Sequence, residues 1–186
     1  VTRLFLVRHG EVVANRELRY VGTEDDALTE VGREQAARLS EALRPFRFDA
    51  IYSSPLQRAR ETAERIALPH GLPVVLDDGL REGAFGAWEG MSRAEVAARA
   101  PDLLRAWEQD PRISPPDGES LIALQERVEA CAQRLVAAYP HGTLVLVSHA
   151  GPLKALLCAT LGVGPAVVRH MFMDIATISV VDWLPD

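Results

Sequence analysis

Two short, strongly apolar runs in this sequence each end in a histidine. Leu4–Val7 leads into Arg8-His9-Gly10-Glu11, and Thr143–Val147 leads into Ser148-His149-Ala150-Gly151. If both runs are strands of an open α/β sheet, their histidines lie at the carboxyl ends, where such sheets bind ligands. A third candidate strand, Asp49–Ser53, delivers Arg58 to the same rim from the first turns of the helix behind it. His149 also stands beside a helix N-terminus, where free N–H groups and the helix dipole favour an anion.

That collection of residue types suits phosphoryl transfer. The reaction needs a nucleophile, donors around the equatorial oxygens and an acid for the leaving alkoxide. Neutral imidazole is a competent nucleophile, and nearby arginines disfavour its protonation, which keeps His9 in the attacking form. Arg8 and Arg58 can each clamp two phosphate oxygens, and a protonated His149 would add a donor. The acid must come from another segment. Glu82, in Leu80-Arg81-Glu82-Gly83, sits where a loop could lower it over the site; Glu89 is the competing carboxylate, and Glu11 is read as a support that holds an arginine.

The elements that must position these groups follow from periodicity. Residues 10–28 are polar and read as a loop. Thr29 has the character of an N-cap, with Ala36, Leu39 and Leu43 at helical spacing behind it until Pro45. Pro55 suits the first position of a helix through Ala67, with Leu56, Ala59, Ala63 and Ile66 on one face. Val74–Leu76 is a further strand candidate. Short helices are expected near 92–99 and 101–109, within a segment rich in Gly, Pro and Trp. The clearest helix runs from Glu119 to Tyr139, striped by Leu121, Leu124, Val128, Cys131 and Leu135. A helix over 151–161 and a strand over Ile175–Trp183 close the chain. Strands alternating with helices predict an α/β sandwich with a mainly parallel sheet, in one domain over 1–186 with a cap-like insertion at about 81–118.

Composition narrows the function classes. The chain has 186 residues, of which 48% are hydrophobic and 25% charged, as in ordinary globular proteins. Its net charge of −6 argues against a nucleic-acid partner. Lys154 is the only lysine. No apolar run reaches membrane-span length and no leader pattern opens the sequence, so a cytoplasmic protein is expected. Cys131 and Cys158 read as buried free thiols. His9 and His149 lack a clear third ligand, so no metal is expected, and no cofactor is implied. His70, His141 and His170 read as structural or surface residues. Trp88 and Trp107 either wall a substrate cavity or pack in the core. Pairing into a homodimer through an edge strand near the C-terminus is left open.

Taken in order, Arg8-His9-Gly10-Glu11, Asn15, the run Ser54-Pro55-Leu56-Gln57-Arg58-Ala59-Arg60-Glu61-Thr62, Glu82 and Ser148-His149-Ala150-Gly151 resemble the histidine phosphatase superfamily, in its phosphoglycerate-mutase-like branch. The resemblance spans residues 3–162. It implies a three-layer α/β sandwich whose mainly parallel sheet carries an antiparallel edge strand. It further implies that His9 carries the phosphoryl group while Arg8, Arg58 and His149 bind it, with Asn15, Gly22 and Ala150 taken as substrate-binding. The family position selects Glu82 over Glu89 as general acid, and later as base for water. Two departures from the mutases stand out: Gly22 follows Val21 where a small hydroxyl residue is usual, and 83–118 contains neither a lysine nor an adjacent arginine pair. Phe85-Gly86-Ala87-Trp88-Glu89-Gly90 and Pro115–Ser120 look instead like the small phosphatases that include α-ribazole-5′-phosphate phosphatases. The expectation is a metal-independent phosphomonoesterase acting on a small phosphate ester, with a phosphoglycerate mutase or an inactive phospho-ligand binding module as alternatives.

Overall fold

The computed structural model describes residues 1–184. Five strands, β1 (Thr2–Arg8), β2 (Ala50–Ser53), β3 (Val74–Leu76), β4 (Thr143–Ser148) and β5 (Ile178–Trp183), form one sheet in the order β3-β2-β4-β1-β5. All neighbours run parallel except β5, which pairs antiparallel to β1 at the edge. The helices are α1 (Val13–Arg16), α2 (Glu30–Leu43), α3 (Gln57–Ala67), α4 (Arg93–Arg99), α5 (Pro101–Gln109), α6 (Leu121–Ala138) and α7 (Ala150–Thr160).

Side chains alternate across a strand, so the continuous apolar runs of β1 and β4 need cover on both sides. Leu4, Leu6, Leu144 and Leu146 pack with Val128, Leu135 and Leu153 of α6 and α7. Phe5, Val7, Val145 and Val147 pack with Leu39, Ala59 and Ile66 of α2 and α3. The result is the three-layer sandwich with an antiparallel edge strand that the sequence predicts.

The predicted elements are present with local corrections. The stretch read as loop over 10–28 contains the single turn α1. Thr29 does cap α2, its Oγ1 accepting the Gly32 N–H at 3.0 Å. Pro55 is not the first residue of α3: the helix starts at Gln57 with Leu56 as N-cap in extended conformation. The Leu56 N–H is taken by Ser54 Oγ at 3.3 Å, which ends β2 with a turn before the helix can begin. Cys131 and Cys158 are buried and unbridged, and burial pushes the Cys131 thiol up to about 12. No helix among the described residues is long and apolar enough to cross a membrane.

Leu146 of β4 is fully buried at the centre of the sheet. Leu146→Ala should lower the unfolding free energy in urea by about 2–5 kcal/mol; a loss below about 1 kcal/mol would contradict the packing described.

Candidate active site

The register between β1 and β4 builds the site. Arg8 pairs with Ser148, so His9 and His149 follow one step beyond the same rung. The His9 N–H donates to the Ser148 carbonyl at 3.1 Å. Their rings meet edge to face with centroids 5.0 Å apart. Gly10 allows this bend because its backbone lies against that of Gly32 in α2, where a Cβ would collide with the Gly32 carbonyl.

His9 is buried, and its Nδ1 donates to its neighbour's carbonyl, Gly10 O, at 2.7 Å. That bond fixes the tautomer and leaves Nε2 with a lone pair. Burial, then the charges of Arg58 and Arg8, hold the imidazole well below its ordinary value, against a smaller opposing effect of the Gly10 carbonyl. His9 is therefore a neutral imidazole whose Nε2 carries no proton.

Arg58 is 1% exposed. Its Nη1 donates to Glu24 O at 2.6 Å and its Nη2 to Gly22 O at 2.8 Å, while Nε donates to His149 Nδ1 at 3.2 Å. Two of its five N–H groups stay uncommitted. Arg8 donates from Nη1 to the Met173 carbonyl, and its buried Nε has no partner. Among the described residues neither arginine is ion-paired to a carboxylate.

His149 is held at both ring nitrogens. Because Nδ1 accepts from Arg58, the proton sits on Nε2, which donates to Ser54 Oγ at 2.8 Å. Burial and then Arg58, His9, Arg8 and Arg127 push its pKa well down. The ring is neutral and serves as an acceptor for Arg58, so the protonation on which a donor role depends is disfavoured. Ser54, quoted in the sequence only as part of a motif, is the partner that fixes this tautomer.

Glu82 reaches the same place. Its Oε1 accepts the Gly83 N–H at 2.8 Å and its Oε2 the Gly151 N–H at 3.3 Å, from the first turn of α7. Burial raises its pKa, with the two N–H groups and then Arg58 and Arg8 opposing, so the protonated acid is favoured relative to an ordinary glutamate. A Cβ on Gly151 would displace this carboxyl group from where it stands, so glycine there leaves room for it. The backbone that carries Glu82 is clamped by Arg127 of α6, whose Nη1 donates to Gly79 O and Arg81 O, both at 3.0 Å. Ser148 Oγ adds a 2.6 Å bond to Leu80 O.

Glu89 serves another purpose: it accepts the N–H groups of Gly22, Thr23 and Phe85 at 2.8–3.0 Å and ties the 16–28 loop to the 81–118 segment. Glu11 holds no arginine; its Oε1 accepts from Thr29 Oγ1 at 2.7 Å and so secures the start of α2. Asn15 uses its Oδ1 to accept the Val12 N–H at 3.2 Å, leaving its amide NH2 for other partners. Gly22 acts through Arg58, since its carbonyl holds the guanidinium and its N–H goes to Glu89. Ala150 lines a cavity of about 280 Å³ beside Glu82. Trp107 lines it too, whereas Trp88 packs in a small core with Val96 and Leu104. A wider groove of about 660 Å³ between α2 and α3 lies away from these residues.

Comparison with known proteins gives one consistent picture. Residues 4–186 match the Histidine phosphatase superfamily (branch 1). A bifunctional protein of Mycobacterium tuberculosis is 41% identical over the whole chain, which spans about half (51%) of that relative's length. The adenosylcobalamin/alpha-ribazole phosphatase of Escherichia coli is 33% identical over 97% of this chain and 89% of its own. Among solved structures, mycobacterial glucosyl-3-phosphoglycerate phosphatase in complex with VO3 superposes with a TM-score of 0.90 at 34% identity, covering 98% of this chain and 93% of the other.

The two buried histidines make stability depend on pH. Unfolding frees them to bind protons below about pH 6.5, so the unfolded chain then holds more protons than the folded one. Stability is complete above that pH and falls on acidification, by up to about 1.4 kcal/mol per pH unit for each ring. Glu82, with its raised pKa, opposes this with a single group. Nitrogen NMR at about pH 6 should show both rings neutral, His9 protonated on Nδ1 and His149 on Nε2; imidazolium signals there would remove the basis for the expected fall.

Proposed function

The chain belongs to the histidine phosphatase superfamily (branch 1), and on that premise we propose that it is a phosphoric monoester hydrolase acting on small phosphate esters through a phosphohistidine at His9. The observation that carries this reading is a neutral imidazole with a free Nε2, set beside the buried Arg58 and the half-buried Arg8, neither with a carboxylate partner, and a half-buried carboxyl group whose pKa is raised.

The steps follow from the atoms. Arg8 and Arg58 hold the phosphoryl oxygens, and Nε2 of His9 attacks phosphorus opposite the ester oxygen. As the P–N bond forms and the P–O bond breaks, Glu82 gives its proton to the departing alkoxide. The resulting carboxylate then takes a proton from water, which attacks phosphorus and releases phosphate from His9. Asn15 contributes its amide N–H2 to the bound oxygens, and His149 keeps Arg58 oriented. No metal or organic cofactor takes part. Residues 81–118 act as a cap over the leaving group.

Hydrolysis is favoured over the alternatives. The cap supplies no lysine and no adjacent arginine pair for a mutase, and a pure binding module would have no use for an acid with a raised pKa. The relatives named above act on different esters, so their substrates are not carried over; α-ribazole phosphate is one ester to assay.

Phosphate release from p-nitrophenyl phosphate should persist in excess chelator and fall by at least about 10⁴-fold in His9→Ala. Loss of release on chelation, or undiminished turnover in that variant, would rule the mechanism out. Glu82→Gln should slow alkyl phosphates by about 10²–10⁴-fold while sparing p-nitrophenyl phosphate, whose leaving group needs no proton. Equal slowing of both would move the acid elsewhere.

A further inference from the structure

Resting on that hydrolase reading, we propose that Thr62 is a positioning residue for His9. Its hydroxyl locks the His9–Gly10 turn to the helix that carries Arg58, and so aims the imidazole at the bound phosphoryl group. Thr62 lies in the interior of α3, on the buried face that also holds Ala59, Ala63 and Ile66. The helix does not need a hydroxyl there. One that bonds back to the carbonyl four residues earlier slightly destabilises a helix, and valine offers the same branched shape without it.

A threonine hydroxyl has one proton to give and lone pairs to receive. Here the proton goes to the Arg58 carbonyl at 2.8 Å, and the oxygen accepts the Gly10 N–H at 3.2 Å, both bonds being buried. Gly10 is the residue on which the direction of the imidazole depends, because its carbonyl takes the Nδ1 proton of His9 at 2.7 Å. The rest of the turn is tied elsewhere. The His9 N–H donates to Ser148 O at 3.1 Å, the His9 carbonyl accepts the Ala176 N–H at 3.0 Å, and the Glu11 N–H donates to Gln35 Oε1 of α2 at 2.8 Å. Among the described residues, Thr62 Oγ1 is the one acceptor for the Gly10 N–H and the one hydrogen-bond link from this turn to α3. Without it a buried donor would be left unpaired, at a cost that favours a shift of the turn.

Arg58 does not depend on this link in the same way. Its guanidinium is held by the carbonyls of Gly22 and Glu24 and by His149, none of which touches Thr62 through a hydrogen bond. Loss of the hydroxyl should therefore spare the grip on phosphate and misplace the attacking nitrogen.

Thr62→Val should lower kcat/KM for p-nitrophenyl phosphate by about 10²-fold, the cost of a displacement on the order of 1 Å. Inhibition by inorganic phosphate should stay close to that of the wild type. Thr62→Ser, which returns the hydroxyl, should recover most of the loss. Nitrogen NMR should show His9 passing from the Nδ1–H form to a mixture of both tautomers in Thr62→Val and returning to it in Thr62→Ser. Thr62→Cys, whose sulfur is a weak acceptor, takes the place of the valine variant if that one fails to fold, and should show the same loss. A threonine that only supports the fold would lower the melting temperature in Thr62→Val while kcat/KM and the His9 tautomer stayed as in the wild type; that result would overturn the assignment. So would a weakening of phosphate inhibition as large as the loss in kcat/KM, since Arg58 and not His9 would then have moved. Absence of release by the wild type would instead overturn the hydrolase reading, and the NMR comparison would still decide whether Thr62 orients His9.

Discussion

The structure turns on a buried positive charge that has no carboxylate in contact. Arg58 is almost fully enclosed, and its partners are two backbone carbonyls and one neutral imidazole. A guanidinium cannot escape this by losing its proton, so the protein must offer dipoles in place of water. Glu24 and Gly22 bend toward it to do so, which fixes the loop after α1. His149 stays neutral to accept from it, and His9, facing the same charge, stays neutral beside it. Pairing Arg58 with a carboxylate would satisfy the charge more simply but would leave less of it for an incoming anion. The lack of a counter-ion among the described residues therefore leaves the charge of the cluster available to an incoming anion, as the proposed phosphate binding requires.

The acid is managed by the opposite means. Glu82 is embedded deeply enough for its proton to be retained more readily than usual, yet two N–H groups keep its carboxylate form accessible. Neither condition would survive a loosely tethered loop. Arg127 grips the carbonyls of the Gly79–Glu82 stretch from α6, Ser148 grips Leu80 from the end of β4, and Gly151 leaves room for the carboxyl group. Glu82 and His9 are thus referenced to the same strand.

Much of this arrangement is legible in the amino-acid sequence. Apolar runs and helical stripes report burial, so β1, β4, α2 and α6 can be read with the histidines at their strand ends. Arg8, His9, Arg58, Glu82 and His149 do converge. What patterning does not report is the direction of a hydrogen bond. Whether His149 gives or accepts depends on Ser54 and Arg58, which approach from a different strand and helix. For the same reason Glu11 reads as an arginine partner and turns out to hold Thr29, and Glu89 reads as a rival acid and turns out to anchor backbone. Pro55 carries a helix-start signal, but the Ser54 hydroxyl claims the next free N–H and delays α3.

The strand order has a consequence for how the molecule comes into being. β4 lies between β1 and β2, so the two strands synthesised first have no bond to each other and must wait for a segment near residue 143. Until it arrives, β1 and β2 present unpaired edges and His9 has no partner ring. Such dependence on distant pairing slows folding and makes it cooperative over nearly the whole chain. A growing or truncated polypeptide therefore cannot assemble this cluster in part: His9 is made early, but its surroundings close only when the last third of the molecule slots into the middle of the sheet.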